Sequence, residues 1–179
     1  MRWLSVWALV GLLAACAGSP QQPRYFLLRS PAAEGSGAVL VSERYAMGRF
    51  EVAPYLEQSG IVLETGDGEI RPANLNRWAE PPRQALERFV GAAVSRTVGE
   101  DVTRAASQEG VLVFDVRIDQ LHGTADGRAR LVAAWSVHDG ARPPRYYRFS
   151  ESADLAASGY AALVESMKAL LSELSGEIA

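Results

Sequence analysis

Two neighbouring segments in which apolar residues occupy every second position constrain the fold of this chain most strongly. They span residues 111–121 and 128–138. The apolar residues at alternate positions are Leu112, Phe114, Val116 and Ile118 in the first segment and Leu131, Ala133, Trp135 and Val137 in the second. Because successive side chains of a strand point to opposite faces, each segment predicts a strand with one apolar face. A glycine-containing turn between them predicts a hairpin whose apolar face another element has to cover.

Shorter apolar runs bounded by proline, glycine or polar residues predict further strands. These runs are residues 25–28, 45–52, 61–63, 69–71 and 145–149. The stretch 65–68, which contains Asp67-Gly68, separates the third run from the fourth, and Asp-Gly between two such runs is a strong signal for a hairpin turn. The run at 145–149 follows Pro143-Pro144 and extends the hairpin of the two long strands into a meander.

Two segments have the periodicity of amphipathic helices. The first opens at Pro81-Pro82, where proline is tolerated because the first turn of a helix leaves its N–H groups unpaired, and its apolar stripe runs to about residue 98. The second spans residues 155–178, with apolar side chains at steps of three and four. Both stripes predict helices that lie on the sheet.

The order of these elements predicts one domain of the α/β or α+β class. A chain of 179 residues with 48% hydrophobic residues is long and apolar enough for one compact core. Because strands and helices do not alternate regularly, we expect a mixed sheet of about six to seven strands covered by the two main helices.

The N-terminus has the pattern of a bacterial lipoprotein signal peptide. A basic start at Arg2 precedes an apolar run of 11 residues, 3–13, which is too short to span a membrane. The run ends in Leu13-Ala14-Ala15-Cys16, which resembles a lipobox and contains the sole cysteine of the chain. The alternatives are an ordinary cleaved signal or an N-terminal anchor helix, with Cys16 as a buried thiol.

The lipobox interpretation divides the chain into a signal peptide (1–15), a lipidated tether (16–24) and a folded domain (25–179). Cys16 would carry a diacylglycerol thioether and an N-acyl chain. One acyl chain binds a membrane only marginally, so two or three chains make a durable anchor in the membrane lipids. The anchored protein would lie in the periplasm. In bacterial lipoproteins an Asp directly after the acylated cysteine favours retention in the inner membrane. Residue 17 is Ala, so the resemblance to lipoproteins implies the outer membrane.

Composition argues against nucleic acid and metal as partners. The formal net charge is −3, and no basic run is present in the sequence. With one cysteine and two histidines, a Cys-rich or His-rich metal site is not expected.

The sequence also lacks the usual catalytic motifs. It contains no Gly-x-Ser-x-Gly motif and no glycine-rich phosphate loop. We interpret His122 and His138 as surface or turn residues. We interpret the carboxylates as a solvated strand face and turns; they are Asp115, Asp119, Asp126 and Asp139. No enzymatic activity, catalytic residue, metal or cofactor is therefore expected, apart from the acyl groups on Cys16.

A polar and aromatic segment, Asn76-Arg77-Trp78-Ala79-Glu80, leads into the first predicted helix. In the structural interpretation Trp78 packs under the first helical turn and Glu80 lies near the helix N-terminus, where a carboxylate is favourable. In the functional interpretation Trp78 and Arg77 contact a protein partner, since both residue types are frequent interface anchors. The candidate partner-binding residues are Tyr55, Arg77, Trp78 and Glu80.

Several motifs together resemble a known family, the ABC-type transport auxiliary lipoproteins, also described as PqiC-like or membrane integrity-associated transporter subunits. The matching motifs are the lipobox at Cys16, Tyr25-Phe26-Leu27-Leu28, Val52-Ala53-Pro54-Tyr55-Leu56, Gly60-Ile61-Val62 and Arg77-Trp78-Ala79-Glu80-Pro81. They occur in the family's order over nearly the whole mature chain. Pro82 departs from the family's usual leucine.

The resemblance implies a non-enzymatic accessory component of an MCE-type lipid transport system. Its partners would be an MCE-domain protein, which forms a hydrophobic conduit, and through it the inner-membrane ABC or permease subunits. The lipoprotein would dock the conduit at the outer membrane and support envelope integrity. Family members also form rings, so homo-oligomerisation is open. The alternative function is that of a lipid-binding or structural envelope lipoprotein with no link to a transporter.

Overall fold

The computed structural model describes residues 21–31, 40–66, 68–103 and 110–179. The predicted signal peptide, Cys16 and most of the predicted tether lie outside the described residues. The strands are β1 (Arg24–Phe26), β2 (Tyr45–Val52), β3 (Gly60–Gly66), β4 (Glu69–Trp78), β5 (Leu112–Gly123), β6 (Arg128–His138) and β7 (Arg145–Asp154). The helices are α1 (Pro82–Val98) and α2 (Tyr160–Ile178), with a short 3₁₀ turn at Pro54–Leu56.

The seven described strands form one mixed sheet. Six of them follow the order β1-β4-β3-β5-β6-β7, and β2 pairs with β5 beside this path. β5 is its centre: β6 pairs antiparallel with one edge, whereas β2 runs parallel to the other edge and β3 meets the end of that edge at Gly123. β1 and β7 are the two ends of this strand order, next to β4 and β6 respectively. The expected mixed sheet and the expected β5–β6 hairpin are confirmed.

Both helices bury their apolar stripes against one face of the sheet. In α1 the buried side chains include Leu86, Phe89, Val90 and Val94, and in α2 they include Leu163, Met167, Leu170, Leu171 and Leu174. They join the apolar residues of β5 and β6 in one hydrophobic cluster. α1 ends at Gly99, whose φ of 83° is the left-handed conformation that glycine adopts at low cost. No helix of the described residues is long and apolar enough to cross a membrane.

The second helix begins later than its sequence pattern predicts, at Tyr160 and not near residue 155. Gly159, just before it, has a φ of 102°, outside the range of a right-handed helix. The apolar Leu155 continues the helical spacing but belongs to the connection from β7, where it still packs against the core.

The segment Asn76-Arg77-Trp78 forms the end of β4, so this strand extends well beyond the predicted run 69–71, and the helix begins at Pro82 as expected. The backbone of this segment is held on both sides, since Arg77 lies opposite Tyr25 of β1 and opposite Gly60 of β3. β4 has no regular alternation of burial, and the β3–β4 register shifts between Gly60 and Val62, the partner of Pro72. A strand with a proline and irregular pairing gives a weak local signal, because proline cannot donate to the ladder.

Candidate interaction surface

The sheet has an open face on the side opposite the helices. Along β5 the side chains of Asp115 and Arg117 alternate with those of Phe114, Val116 and Ile118, which lie in the core. The described helices contribute their buried side chains to that core, and none of them packs against the open face. An uncovered face of an antiparallel pair is normally polar, and this one carries rows of charged residues.

A shallow hollow of about 140 Å³ lies on the open face between β2, β5, β6 and β7. Its lining includes two short side chains of β6, Ala134 and Ser136, and three long ones, Arg49, Arg117 and Tyr146. The hollow forms because the side chains of Ala134 and Ser136 on β6 are short, whereas those on the neighbouring strands are long. We call this site the open-face hollow.

Charges on the open face are largely paired within the protein. Arg117 donates two hydrogen bonds to the carboxylate of Asp119, from Nε at 2.8 Å and from Nη2 at 3.3 Å. These bonds, with the attraction of the same carboxylate, raise the pKa of Arg117. Asp115 lies 3.1 Å from Nε2 of His138 and accepts a hydrogen bond from the backbone N–H of Arg49 at 2.7 Å. The charges around the hollow are thereby held in place.

The first half of β7 adds exposed residues beside the hollow. Tyr146 is 78% exposed, and Arg148, on the same face, is exposed with no ion pair among the described residues. Tyr147 points to the opposite side, where its ring stacks on Trp135 at 5.3 Å between centroids. β7 is therefore fixed on its helix side and presents an aromatic and a cationic side chain on the open side.

Trp78, a candidate partner-binding residue, lies in the core. It is 9% exposed and belongs to the hydrophobic cluster, opposite Phe26 of β1. This burial agrees with the structural interpretation of Trp78. The side chain reaches the core from the end of β4. As a surface anchor Trp78 is not supported, because its ring offers little area to a partner.

The two charged neighbours of Trp78 are held by contacts within the protein. Arg77 donates from Nε to the carbonyl oxygen of Asn74 at 2.9 Å. Glu80 forms an ion pair with Arg88 of α1. Both side chains remain half-exposed, and their role toward a partner stays a prediction.

Tyr55 and His122 lie together near the end of β5, with ring centroids 6.3 Å apart. The hydroxyl of half-buried Tyr55 donates to the carbonyl oxygen of Asp119 at 3.4 Å. Burial raises the pKa of Tyr55 to about 12. Its role toward a partner stays a prediction.

The expectation that His122 is a surface residue is wrong. His122 is 3% exposed, its Nδ1 lies 3.2 Å from the carbonyl oxygen of Gly123, and the carboxylate of Glu64 is 3.9 Å away. β3 runs alongside the end of β5 and brings Glu64 there. This contact joins strands about sixty residues apart, so the local pattern around His122 could not reveal it.

The remaining polar candidates form structural contacts. Asp139 lies in a turn, where it accepts hydrogen bonds from the backbone N–H groups of Ala141 and Arg142 and from the Arg142 side chain. These bonds lower the pKa of Asp139 to about 2. Asp126 accepts a hydrogen bond from the hydroxyl of Thr124. Across the described ranges, no group of three or more His, Cys, Asp or Glu residues is arranged to hold a metal ion.

The sequence of the folded part matches the family model of the ABC-type transport auxiliary lipoprotein component over residues 25–179. The chain belongs to this family. The members of this family are auxiliary components of transport systems, and the family is not a known enzyme family. As a lipoprotein of such a system, this protein is membrane-anchored in the cell envelope. Among curated protein sequences, none is significantly similar to this one.

Two solved structures share the fold of this auxiliary lipoprotein. One is the crystal structure of an uncharacterized protein, with 22% identity, a TM-score of 0.75, and coverage of 88% of this chain and 97% of the other. The second is protein XCC0632 from Xanthomonas campestris, with 14% identity, a TM-score of 0.61, and coverage of 89% and 91%. At these identities the likeness concerns the fold.

The sequence pattern does not single out Tyr146 and Arg148 as surface candidates. The pattern of residues 145–149 predicts a strand, which β7 confirms, and Phe149 is its one buried residue. Which strand lies at the edge of the sheet depends on pairing between distant segments. One local signal for an exposed strand is present in the sequence. After Pro143-Pro144, this strand contains more charged and tyrosine residues than aliphatic ones.

Proposed function

We propose that this protein is a non-enzymatic, lipid-anchored accessory component of an MCE-type ABC lipid transport system. In this proposal it docks the transport conduit at the outer membrane and so supports envelope integrity. The observation that carries the proposal is the family match over residues 25–179. The lipobox at Cys16 supports the anchoring, and Ala17 favours the outer membrane.

The open-face hollow and the adjoining residues of β7 are the proposed docking site for the MCE-domain protein. Tyr and Arg are enriched among residues that dominate binding energy, because each combines a large contact area with hydrogen-bonding capacity. Tyr146 and Arg148 present both residue types side by side, on a strand that the sheet holds in place. Arg117 lines the adjacent hollow, where its pairing with Asp119 holds the side chain in place.

The anchor and the docking site act together in this proposal. Acyl chains on Cys16 confine the domain to the membrane surface, so a partner that reaches this membrane meets the domain at a high effective concentration. A docking site of modest affinity is then sufficient. ATP hydrolysis would occur in the inner-membrane subunits, and this domain would contribute position.

The experiment is crosslinking and affinity capture of the acylated protein from its own membranes, with mass spectrometry of the captured proteins. We expect MCE-domain and ABC or permease subunits with the wild-type protein. Arg148→Ala should reduce their recovery, whereas Arg71→Ala, a similarly exposed arginine on β4, should leave it unchanged.

Three outcomes would argue against parts of the proposal. Recovery of structural envelope proteins only would support the alternative of a lipid-binding or structural lipoprotein with no link to a transporter. Equal recovery with Arg148→Ala and Arg71→Ala would remove β7 from the docking site. The third outcome concerns the lipid anchor. If the intact mass of the wild-type protein shows no acyl groups, and if the Cys16→Ser protein still stays in the membrane fraction, anchoring through Cys16 is wrong.

A further inference from the structure

An open groove lies between β1, the end of β7 and the first turns of α2. Its volume is about 660 Å³, and more of its lining is apolar than polar. Tyr25 and Leu27 of the N-terminal segment form one side, where they are 62% and 36% exposed. Small side chains of α2, among them Ala161 and Ala169, form the other side. We call this groove the N-terminal groove.

The position of this groove in the chain limits what can cover it. Only eight peptide steps separate Cys16 from Arg24, the first residue of β1, which corresponds to at most about 28 Å of extended chain. A domain of this size is about 40 Å across. If Cys16 is acylated, this chain length keeps β1 within about 28 Å of the bilayer, which is less than the width of the domain.

We propose that the N-terminal groove is the membrane-facing surface of the domain and lies against the lipid bilayer in which Cys16 is anchored. The inference rests on the acylation of Cys16, one element of the proposed function, and it is independent of the identity of the protein partner. Tyr25 suits this position because tyrosine side chains are enriched at membrane interfaces, where the ring is apolar and the hydroxyl stays hydrated. Leu27 and the apolar floor contact the outermost acyl groups.

The charges around the groove are balanced. Lys168 pairs with Glu165 at 2.9 Å, and Asp154 pairs with Arg128 at 2.8 Å. Contact with the bilayer is therefore apolar in origin, and we expect it to depend little on salt or on the fraction of anionic lipid.

This orientation directs the open-face hollow away from the membrane. The groove lies on the helix side of the sheet, since α2 forms one of its walls, and the hollow lies on the other side. A domain that rests on its helix layer presents its charged sheet face to the periplasmic space.

The test measures which side of the acylated domain touches acyl chains. Cys16 is the sole cysteine and its thiol is consumed by acylation, so a thiol-reactive bimane dye reacts with one introduced cysteine. Ala169→Cys, exposed on α2, reports on the groove, and Ser150→Cys, exposed on the open face of β7, is the matched control. Intact mass first establishes acylation, and the protein is then placed in vesicles of phosphatidylethanolamine and phosphatidylglycerol that contain an acyl-chain nitroxide lipid.

We expect several-fold stronger quenching of bimane at position 169 than at position 150, at low and at high salt. The double substitution Tyr25→Ser with Leu27→Ser should reduce quenching at 169 to the level of the control, because the tether remains but the apolar contact is lost. Equal quenching at both positions would overturn the proposal. A dye at 169 that neither lipid nitroxide nor aqueous iodide quenches would also overturn it, since a second protein copy would then cover the groove. The partner-capture experiment reads out independently of all these results.

Discussion

The burial of Trp78 and the exposure of Tyr146 predict opposite effects for the same kind of truncation. Trp78 is 9% exposed, so replacement by alanine removes most of a side chain that buries about 150 to 250 Å². At about 25 cal/mol per Å², the burial contributes about 4 to 6 kcal/mol to the free energy of unfolding. Measured losses for such core truncations are about 3 to 5 kcal/mol. For a domain of this size, 1 kcal/mol corresponds to about 2 to 4 °C in Tm, so Trp78→Ala should lower the Tm by about 6 to 20 °C.

Tyr146→Ala is the matched control, because it also removes a large aromatic ring but from a position that is 78% exposed. Its free energy of unfolding should change by less than about 0.5 kcal/mol. Recovery of the MCE-domain protein in the capture experiment should fall, since Tyr146 lies at the proposed docking site. Thermal unfolding of both acylated variants in detergent, followed by circular dichroism, measures the first effect.

The reverse pattern would refute this reasoning. If Trp78→Ala kept the wild-type Tm and lost the captured partner, Trp78 would be an interface residue, and its place in the hydrophobic core would be wrong. If Tyr146→Ala lowered the Tm by as much as Trp78→Ala, Tyr146 would have a structural role and the loss of partner recovery would carry no information about docking.

Three further perturbations test other parts of the structure. Gly123→Ala would place a Cβ 2.5 Å from Leu63 and 3.0 Å from Leu163. We expect it to lower the free energy of unfolding, measured in urea, by about 1 to 3 kcal/mol. Adding Leu63→Ala to the same chain should restore part of this loss. Because the folded-state pKa of Asp139 is lowered to about 2, its contribution to the free energy of unfolding is present above pH 4 and is lost as the pH falls toward 2. Asp139→Asn should therefore flatten the pH dependence of urea unfolding between pH 4 and pH 2. An unchanged pH dependence would contradict the lowered pKa of Asp139. Because the folded-state pKa of Tyr55 is raised to about 12, the contribution of Tyr55 to the free energy of unfolding is fully present below pH 10 and is lost between pH 10 and 12. Tyr55→Phe should reduce this loss and remove the tyrosine that ionises last in an absorbance titration. Ionisation of Tyr55 at the ordinary pKa of tyrosine would contradict its burial.

Much of the fold could be predicted because its signals are local. The hairpin of β5 and β6 follows from the alternation along each strand, and the two helices follow from stripes at steps of three and four residues. Errors occur where the local signal is weak. The strand β4 contains Pro72 and is irregularly paired, and α2 begins five residues late because Gly159 has a positive φ.

The candidate site was less predictable than the fold. Tyr55, Arg77 and Glu80 were singled out from sequence, and the structure leaves them half-exposed and bound within the protein. The open-face hollow was not foreseen, because it consists of residues from β2, β5, β6 and β7. Its shape depends on the register between these strands, which no single segment contains.

The sequence by itself determined the elements, the mixed sheet and the family, since residue periodicity and motifs are properties of continuous segments. Only the tertiary structure decided which side chains are available to other molecules. Trp78 is buried because β1 pairs with the end of β4, and His122 is buried because β3 meets the end of β5. Tyr146 is exposed because β7 is an outer strand of the sheet. Burial of a side chain is set by neighbours that are distant in the chain, and these neighbours are fixed only when the whole sheet assembles.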